Sequence, residues 1–201
     1  MKAHESRILI IGHLPSEDNL RLYRSRDQEI DAGSLEIWHD NCARSLPLTH
    51  AMAQLIDATY CPTTVRHHQT AKLITEAFGL DAPVPDARIN NIDYGVFKGR
   101  PLRETPHPTE ALEVPYDGGE SWQDAADRWS AFFKTTVRNC PQSVILLAGQ
   151  SANAVRMLKH ICLHQPLEEV LTAPVPHLQF FTVGSDLQDF NSVIWKYHWQ
   201  D

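Results

Sequence analysis

The chain has 201 residues, of which 42% are hydrophobic and 21% charged, and this is enough apolar material for one globular domain with a sizeable core. Its formal net charge of −7 has the wrong sign for counterion-release binding to nucleic acid or for adhesion to an anionic membrane. No stretch approaches the roughly 18 uninterrupted apolar residues that a membrane span needs. Together with the net charge, this leads us to expect a cytoplasmic protein that binds neither nucleic acid nor membranes.

The first element in chain order is an apolar run over residues 7–11 that ends in Gly12 and His13. A continuous run of this kind is typical of a strand buried on both faces of a parallel sheet. Residues 143–149 repeat the pattern, and shorter strand-like runs lie at 180–183 and 192–195.

Helical spacing of apolar residues separates these strands, and it predicts helices over 49–58, 66–78, 121–137 and 152–163. Alternating strands and helices predict an α/β fold with a mainly parallel sheet and helices on both faces. No repeat and no break in composition divides the chain, so we expect a single domain over residues 1–201. A proline-dotted segment over 101–115 is predicted to be a long loop.

The cysteines and histidines give no sign of a cofactor or a metal site. None of the four cysteines forms a C-x-x-C pair, which argues against a disulfide framework or a zinc knuckle and favours reduced, mostly buried thiols. The histidines lack the H-E-x-x-H spacing of a zinc site on a helix. We therefore expect neither a cofactor nor a bound metal.

His13 and Arg66 are the first candidate functional residues. His13 directly follows a buried strand, so its imidazole is expected to be exposed at the mouth of the sheet, where open α/β folds bind ligands. Arg66 opens the helix over 66–78 and can hold a phosphate with two parallel hydrogen bonds. The alternatives are a structural role for one of eleven histidines and an ion pair of Arg66 with Glu76 or Asp57.

Glu120 lies on a glycine turn over 117–121, before the next helix. Glycines let the backbone approach a ligand closely, and Glu120 can then serve as a proton donor. An acidic residue at a helix N-terminus is also stabilised there by the helix dipole, and the sequence leaves both roles open.

Taken in order, five segments resemble the histidine phosphatase superfamily, in its phosphoglycerate mutase-like branch. They are residues 10–19, 46–54, 61–71, 92–99 and 118–121. The Gln-Thr-Ala sequence at 69–71 and the Gly-Gly-Glu-Ser sequence at 118–121 are the most specific matches.

The resemblance implies a phosphoglycerate mutase-like fold and a phosphatase chemistry. In that family a histidine attacks a phosphoryl group, arginines and a second histidine hold the phosphate oxygens, and a carboxylic acid protonates the leaving group. By position, His13 is the implied nucleophile, Arg66 a phosphate ligand and Glu120 the proton donor. Further implied substrate-binding positions are Asn19 and Gln150.

Several family positions carry other residues. The arginine before the nucleophile is Gly12, and the second histidine falls on Gly149 or Gln150. Asn91 stands where a glutamate is common. His177, before a late strand that should end beside the site, is one candidate for a replacement positive charge, and His67, His68, Arg88 and Arg100 are others.

Two functions are consistent with these residues. The first is phosphomonoester hydrolysis through phospho-His13, weakened because each lost donor to a developing oxyanion costs about 2.7–4 kcal/mol. The second is an inactive family member that binds a phosphorylated or acidic small ligand or a partner protein. We expect a small phosphorylated molecule as ligand. We expect the aromatic segment 195–199 to pack on the domain or to cover a homodimer interface.

Overall fold

The central sheet has five strands in the order β3-β2-β4-β1-β5. In the computed structural model, which describes residues 7–42, 46, 48–137, 143–174 and 180–183, the strands are β1 (Arg7–Gly12), β2 (Ala58–Cys61), β3 (Val84–Pro85), β4 (Val144–Gln150) and β5 (Phe180–Val183). β1, β2, β3 and β4 run parallel, and β5 pairs antiparallel with β1 at the edge. The predicted mainly parallel sheet is confirmed, including the strand at 180–183.

The helices and the irregular turns follow in chain order. The α-helices are α1 (Glu17–Leu20), α2 (Ala32–Ile37), α3 (His50–Ala53), α4 (Val65–Phe78), α5 (Trp122–Phe132), α6 (Ala152–Leu163) and α7 (Leu167–Thr172). Single π turns, Trp38–Cys42 and Phe133–Val137, extend α2 and α5. The segment predicted as a long loop contains two short 3-10 turns, Leu102–Glu104 and Pro108–Ala111. None of the helices in the described ranges has the length and apolar character required to cross a membrane.

The helix predicted over 49–58 is shorter than expected. α3 ends at Ala53, and Asp57 is already bound to the sheet, because its backbone N–H donates to the Val144 carbonyl at 2.9 Å. The Asp57 carboxylate in turn accepts from the Val144 N–H at 2.7 Å. These two bonds compete with a longer helix. The strand predicted at 192–195, Cys140 and the aromatic segment 195–199 lie outside the described residues.

Both faces of the sheet are buried, as the unbroken apolar runs predict. Ile8 and Ile10 of β1 pack with residues of α5, α6 and α7, whereas Leu9 and Ile11 pack with residues of α2 and α4 on the other face. β4 alternates in the same way. Side chains on a strand alternate between its faces, so each central strand contributes to two cores.

A bulge at the end of β4 brings the sheet against α4. Ile10 is paired with Leu147, but Gly12 is paired with Gln150, so β4 has one more residue than β1 in this interval. Gly149 occupies the bulge with φ +66°, and a Cβ there would lie 2.1 Å from the His67 carbonyl oxygen. Only glycine allows this approach, which brings the end of β4 against the first turn of α4.

Gly149→Ala should therefore destabilise the protein more than a glycine substitution elsewhere at the same φ. Gly79, with φ +65° and open space of at least 4 Å around the point that a Cβ would occupy, is the matched control. We expect Gly79→Ala to lower the free energy of unfolding by about 1 kcal/mol, from left-handed strain alone. Gly149→Ala should lower it by about 3 kcal/mol or more, because the clash adds to that strain. Urea unfolding measures both values, and equal losses would contradict the close approach.

Candidate functional site

His13 follows β1 directly and continues its pairing with β4. Its backbone N–H donates to the Gln150 carbonyl at 2.8 Å. Its Nδ1 lies 2.7 Å from the Leu14 carbonyl oxygen, which can only accept, so Nδ1 carries the hydrogen and the lone pair of the neutral ring is at Nε2. The residue is only 3% exposed, so the predicted exposure of the imidazole is wrong. The His67 ring covers it in an edge-on contact, with the two centroids 4.5 Å apart.

Arg66 lies in the first turn of α4 and is also 3% exposed. One Nη donates to the Arg26 carbonyl at 3.3 Å, whereas Nε is buried without a partner. Across the residues that the structure describes, no carboxylate forms an ion pair with it, and this holds for both Glu76 and Asp57. Burial lowers the pKa of Arg66 to about 10, although Asp27 and Asp18 oppose that effect, and the side chain stays a cation at neutral pH.

His67 and Gln150 are two further buried polar residues at this end of the sheet. His67 is fully buried, and its Nδ1 contacts the Thr64 hydroxyl. Its Nε2 has no hydrogen-bond partner, and neither does the Nε2 of Gln150. Burial, followed by the charges of His13 and Arg66, holds the pKa of His67 well below its usual value, so this ring is neutral at pH 7.

Thr70 fixes the segment after His13 onto α4. Its hydroxyl donates to the Arg66 carbonyl at 2.8 Å and accepts from the Leu14 N–H at 3.0 Å. The loop beside the candidate nucleophile is therefore tied to the turn that carries Arg66. The Gln-Thr-Ala sequence pointed to this residue, but its role as a bridge depends on a contact across 56 positions of the chain.

The carboxylate of Asp18 already forms an ion pair with Arg26. The Asp18 carboxylate accepts from both the Nη2 and the Nε of Arg26, at 2.9 and 3.0 Å, and from the Arg26 backbone N–H. These bonds hold the pKa of Asp18 below its usual value. Asp18 thus neutralises Arg26, and Arg66 is left with only a longer-range attraction to it.

Comparison with known proteins identifies the family of the chain. The model of the histidine phosphatase superfamily (branch 1) matches residues 42–197. The chain belongs to this superfamily. No curated protein sequence matches it significantly.

Among solved structures, the chain is similar to a mycobacterial glucosyl-3-phosphoglycerate phosphatase, with 16% identity, a TM-score of 0.71, and coverage of 95% of this chain and 98% of that one. It is also similar to YhfR of Bacillus stearothermophilus, with 15% identity, a TM-score of 0.72, and coverage of 94% and 96%. At these identities the likeness is one of fold, and it confirms the predicted phosphoglycerate mutase-like architecture.

The structure locates two of the three family positions that hold other residues. Gly12 pairs with Gln150 in the sheet and offers no side chain where the superfamily has an arginine. Gly149 fills the bulge against α4, so Gln150 supplies the side chain at the end of β4. Its amide is neutral, and a neutral hydrogen bond is about half as strong as a charge-assisted one.

Glu120 forms an ion pair with Arg128. Arg128 donates to it twice, from Nη2 at 2.7 Å and from Nε at 3.0 Å, and the Asp93 N–H donates at 2.8 Å. Both oxygens of the Glu120 side chain are therefore occupied by donors, and these contacts favour a structural role over the predicted proton transfer. Asn91, at the common glutamate position, accepts from the Asn153 amide at 2.6 Å and carries no acidic proton.

Several other candidates form local contacts or lie outside the described residues. The Asn19 side-chain oxygen accepts from the N–H and the hydroxyl of Ser16, both at 3.0 Å, and helps to cap α1. Arg88 is paired with Asp86. His177 lies outside the described residues. Within the described ranges, no group of three or more His, Cys, Asp or Glu side chains could hold a metal ion.

The buried neutral state of His67 predicts a loss of stability in acid. Its folded-state pKa lies below the ordinary 6.5, so below about pH 6.5 the unfolded chain binds the proton more readily and the free energy of unfolding falls. By pH 5 this contribution amounts to at most about 2 kcal/mol, and above pH 6.5 it vanishes. Urea unfolding of His67→Gln should show a smaller fall between pH 7 and pH 5 than His68→Gln, the control on the next residue. Equal falls in the two variants would show that His67 is not the group responsible.

Proposed function

We propose that the chain binds the phosphoryl group of a small phosphorylated molecule beside His13. The observation that carries the proposal is the Arg66 guanidinium, which is buried without a carboxylate partner among the described residues. Asp27 and Asp18 attract Arg66 only from beyond the distance of an ion pair. An anion bound directly beside the buried cation would offset more of its lost hydration.

A phosphoryl group suits the unpartnered groups at this site. The Arg66 Nε–H and the Gln150 Nε2 amide are donors without acceptors, and phosphate oxygens are strong acceptors. In the first turn of α4, the N–H groups of Val65 and Arg66 already donate to the Asp27 carboxylate and the Gln28 carbonyl, so the donors left for an anion are on side chains. The family membership of the chain supports the same class of ligand.

The chemical step lacks several of the charged and acidic side chains that assist phosphoryl transfer. In an in-line transfer, a lone pair of the His13 Nε2 forms the bond to phosphorus, the bond to the ester oxygen breaks, and that oxygen takes a proton from water. A water molecule then attacks the phosphorus, the bond to Nε2 breaks, and inorganic phosphate leaves. Gly12 and Gln150 supply no positive charge to the transferred oxygens, Glu120 is paired with Arg128, and Asn91 has no acidic proton. With two oxyanion donors weakened, each worth a hundred- to a thousand-fold, we expect a rate about 10⁴-fold or more below that of a fully equipped member.

One observation favours retention of some turnover. The hydrogen bond from the His13 Nδ1 to the Leu14 carbonyl presents the Nε2 lone pair, which is the tautomer that a nucleophilic histidine needs. Slow hydrolysis through phospho-His13 is therefore the second candidate function. Cytoplasmic localisation and a homodimer remain predictions from the sequence.

Phosphate binding is tested by the thermal shift of the whole chain in inorganic phosphate. Phosphate at 100 times its Kd should stabilise the wild type by about 2.7 kcal/mol. Arg66→Gln should abolish the shift because it removes the buried cation. Arg21→Gln, which removes an exposed arginine paired with Glu17, should keep it. Because Arg66→Gln can fail to fold, calorimetric titration of the wild type is the second measurement, and absence of binding there would refute the proposal.

Turnover is tested with an aryl phosphate and the variants His13→Ala and His107→Ala, the latter removing an exposed histidine. If the second candidate function holds, the wild type and His107→Ala show a slow rate that His13→Ala lacks, and acid-labile phosphate appears on the protein. Binding without any rate above that of His13→Ala indicates a binding protein only. A wild-type rate equal to that of a fully equipped family member would contradict the slow step.

A further inference from the structure

The ring of His67 lies against the candidate nucleophile and has one nitrogen without a partner. It contacts the His13 ring edge-on, with the centroids 4.5 Å apart, and it is fully buried. Its Nδ1 contacts the Thr64 hydroxyl, which can donate or accept a hydrogen bond. Its Nε2 has no hydrogen-bond partner. A buried polar nitrogen without a partner lowers stability, so a ring that only filled space would be better replaced by an apolar side chain.

Two more buried nitrogens without hydrogen-bond partners lie beside this ring in the part of the chain that the structure describes. One is the Nε of Arg66, the preceding residue of α4. The other is the Nε2 of Gln150, whose backbone carbonyl accepts from the His13 N–H. The missing Cβ of Gly149 lets the end of β4 approach the His67 carbonyl, so the residues that carry the three nitrogens stay together. The oxygens of one tetrahedral anion could accept from all three.

The positive charge of the free site does not match a phosphoryl dianion. Arg66 supplies one charge, and the Gln150 amide supplies none. Burial, followed by the charges of His13 and Arg66, keeps the pKa of His67 low, so this ring is neutral without a ligand. Two negative charges bound beside it would oppose the effect of the neighbouring cations and favour the protonated ring.

Two carboxylates lie near this end of α4, and both have other partners. Asp27 accepts from the backbone N–H of the first residue of α4, and Asp18 forms an ion pair with a neighbouring arginine. Both acids attract Arg66, whereas the charges that act on His67 are those of His13 and Arg66. The protonation of His67 is therefore controlled by these two residues and by an anion bound beside them.

We propose that His67 takes up a proton from solvent when a dianionic phosphoryl group binds beside His13, and that its Nε2–H then donates to a phosphoryl oxygen. Both nitrogens of the protonated ring carry hydrogen, so Nδ1 donates to the Thr64 hydroxyl at the same time. Two positive charges, on Arg66 and His67, then face the two negative charges of the anion. The inference rests on the proposed function, because it needs a phosphoryl group at this position.

This imidazole differs in origin from the second histidine of the superfamily. That histidine belongs at the end of β4, where this chain has Gln150, whereas His67 lies in the first turn of α4. The motif that contains Arg66 and the Gln-Thr-Ala sequence surrounds His67 without giving it a role. The proposed contact exists already in the bound ester, so it raises affinity and leaves the expected slow rate unchanged.

Proton uptake on binding tests this directly, with sulfate as the probe because sulfate stays a dianion near neutral pH. Calorimetric titration of the full chain at pH 6, in two buffers that differ in ionisation enthalpy, counts the protons taken up per sulfate. The wild type should take up about one proton, and so should His68→Gln, the control on the next residue of α4. His67→Gln should take up almost none and should bind sulfate about tenfold or more weakly, because a charge-assisted hydrogen bond is lost.

The affinity for sulfate should depend on pH through the same proton. Because the complex holds the additional proton, lowering the pH from 8 to 6 should tighten binding by up to about tenfold per pH unit in the wild type and in His68→Gln. The slope should be much smaller in His67→Gln. It should persist in His13→Gln, which separates His67 from the other imidazole of the site.

The wild type also gives a readout of its own, which is needed because His67→Gln can fail to fold. The ¹⁵N chemical shifts of the His67 ring, assigned through its own covalent bonds, distinguish a neutral from a protonated imidazole. At pH 6 the ring should be neutral without sulfate and protonated when sulfate saturates the protein.

The two proposals fail in different ways. If neither sulfate nor inorganic phosphate binds the wild type, the proposed function fails and takes this inference with it. If sulfate binds while the His67 ring stays neutral, the inference alone is overturned. It is also overturned if His67→Gln takes up the same proton as the wild type.

Discussion

The burial of Arg66 is the constraint on which this end of the molecule depends. A guanidinium removed from water loses several kcal/mol of hydration, and the described residues return only one hydrogen bond from its side chain, to the Arg26 carbonyl. The first turn of a helix is also an unfavourable place for a cation, because the helix dipole is positive there. The Asp18 carboxylate forms its ion pair with Arg26 and not with Arg66. Such an arrangement lowers stability and favours the binding of an anion, a compromise that proteins make at functional sites.

The arrangement of His13, Gln150 and α4 follows from one backbone feature. The bulge at Gly149 lets β4 approach α4, and His13 continues the ladder by donating to the Gln150 carbonyl. The sequence left Gly149 and Gln150 as equal candidates for the second histidine position. A bulge is defined by pairing between two strands that lie far apart in the chain, so it leaves no local pattern in either strand.

The apolar runs and the order of the motifs could be recognised in the sequence, because each depends on neighbouring residues or on fixed spacing. The strand at 7–11, the strand at 143–149 and the family were predicted on that basis. The role of Glu120 could not be predicted from the sequence, because it depends on Arg128, which lies on α5. Arg128 also donates to the backbone carbonyls of Arg88, Asn90 and Asn91. The burial of His13 was missed for a similar reason, because the ring that covers it comes from α4.

Under the proposed function, ligand binding and chemistry depend on different groups at this site. Arg66 and the orientation of His13 would both act already on a bound ester. Gly12, Gln150 and Asn91 stand at positions where the family has charged or acidic side chains. Those side chains would stabilise the charge that develops on the transferred oxygens and the leaving group. Only interactions that strengthen in the transition state accelerate a reaction, so their loss slows turnover more than it weakens binding.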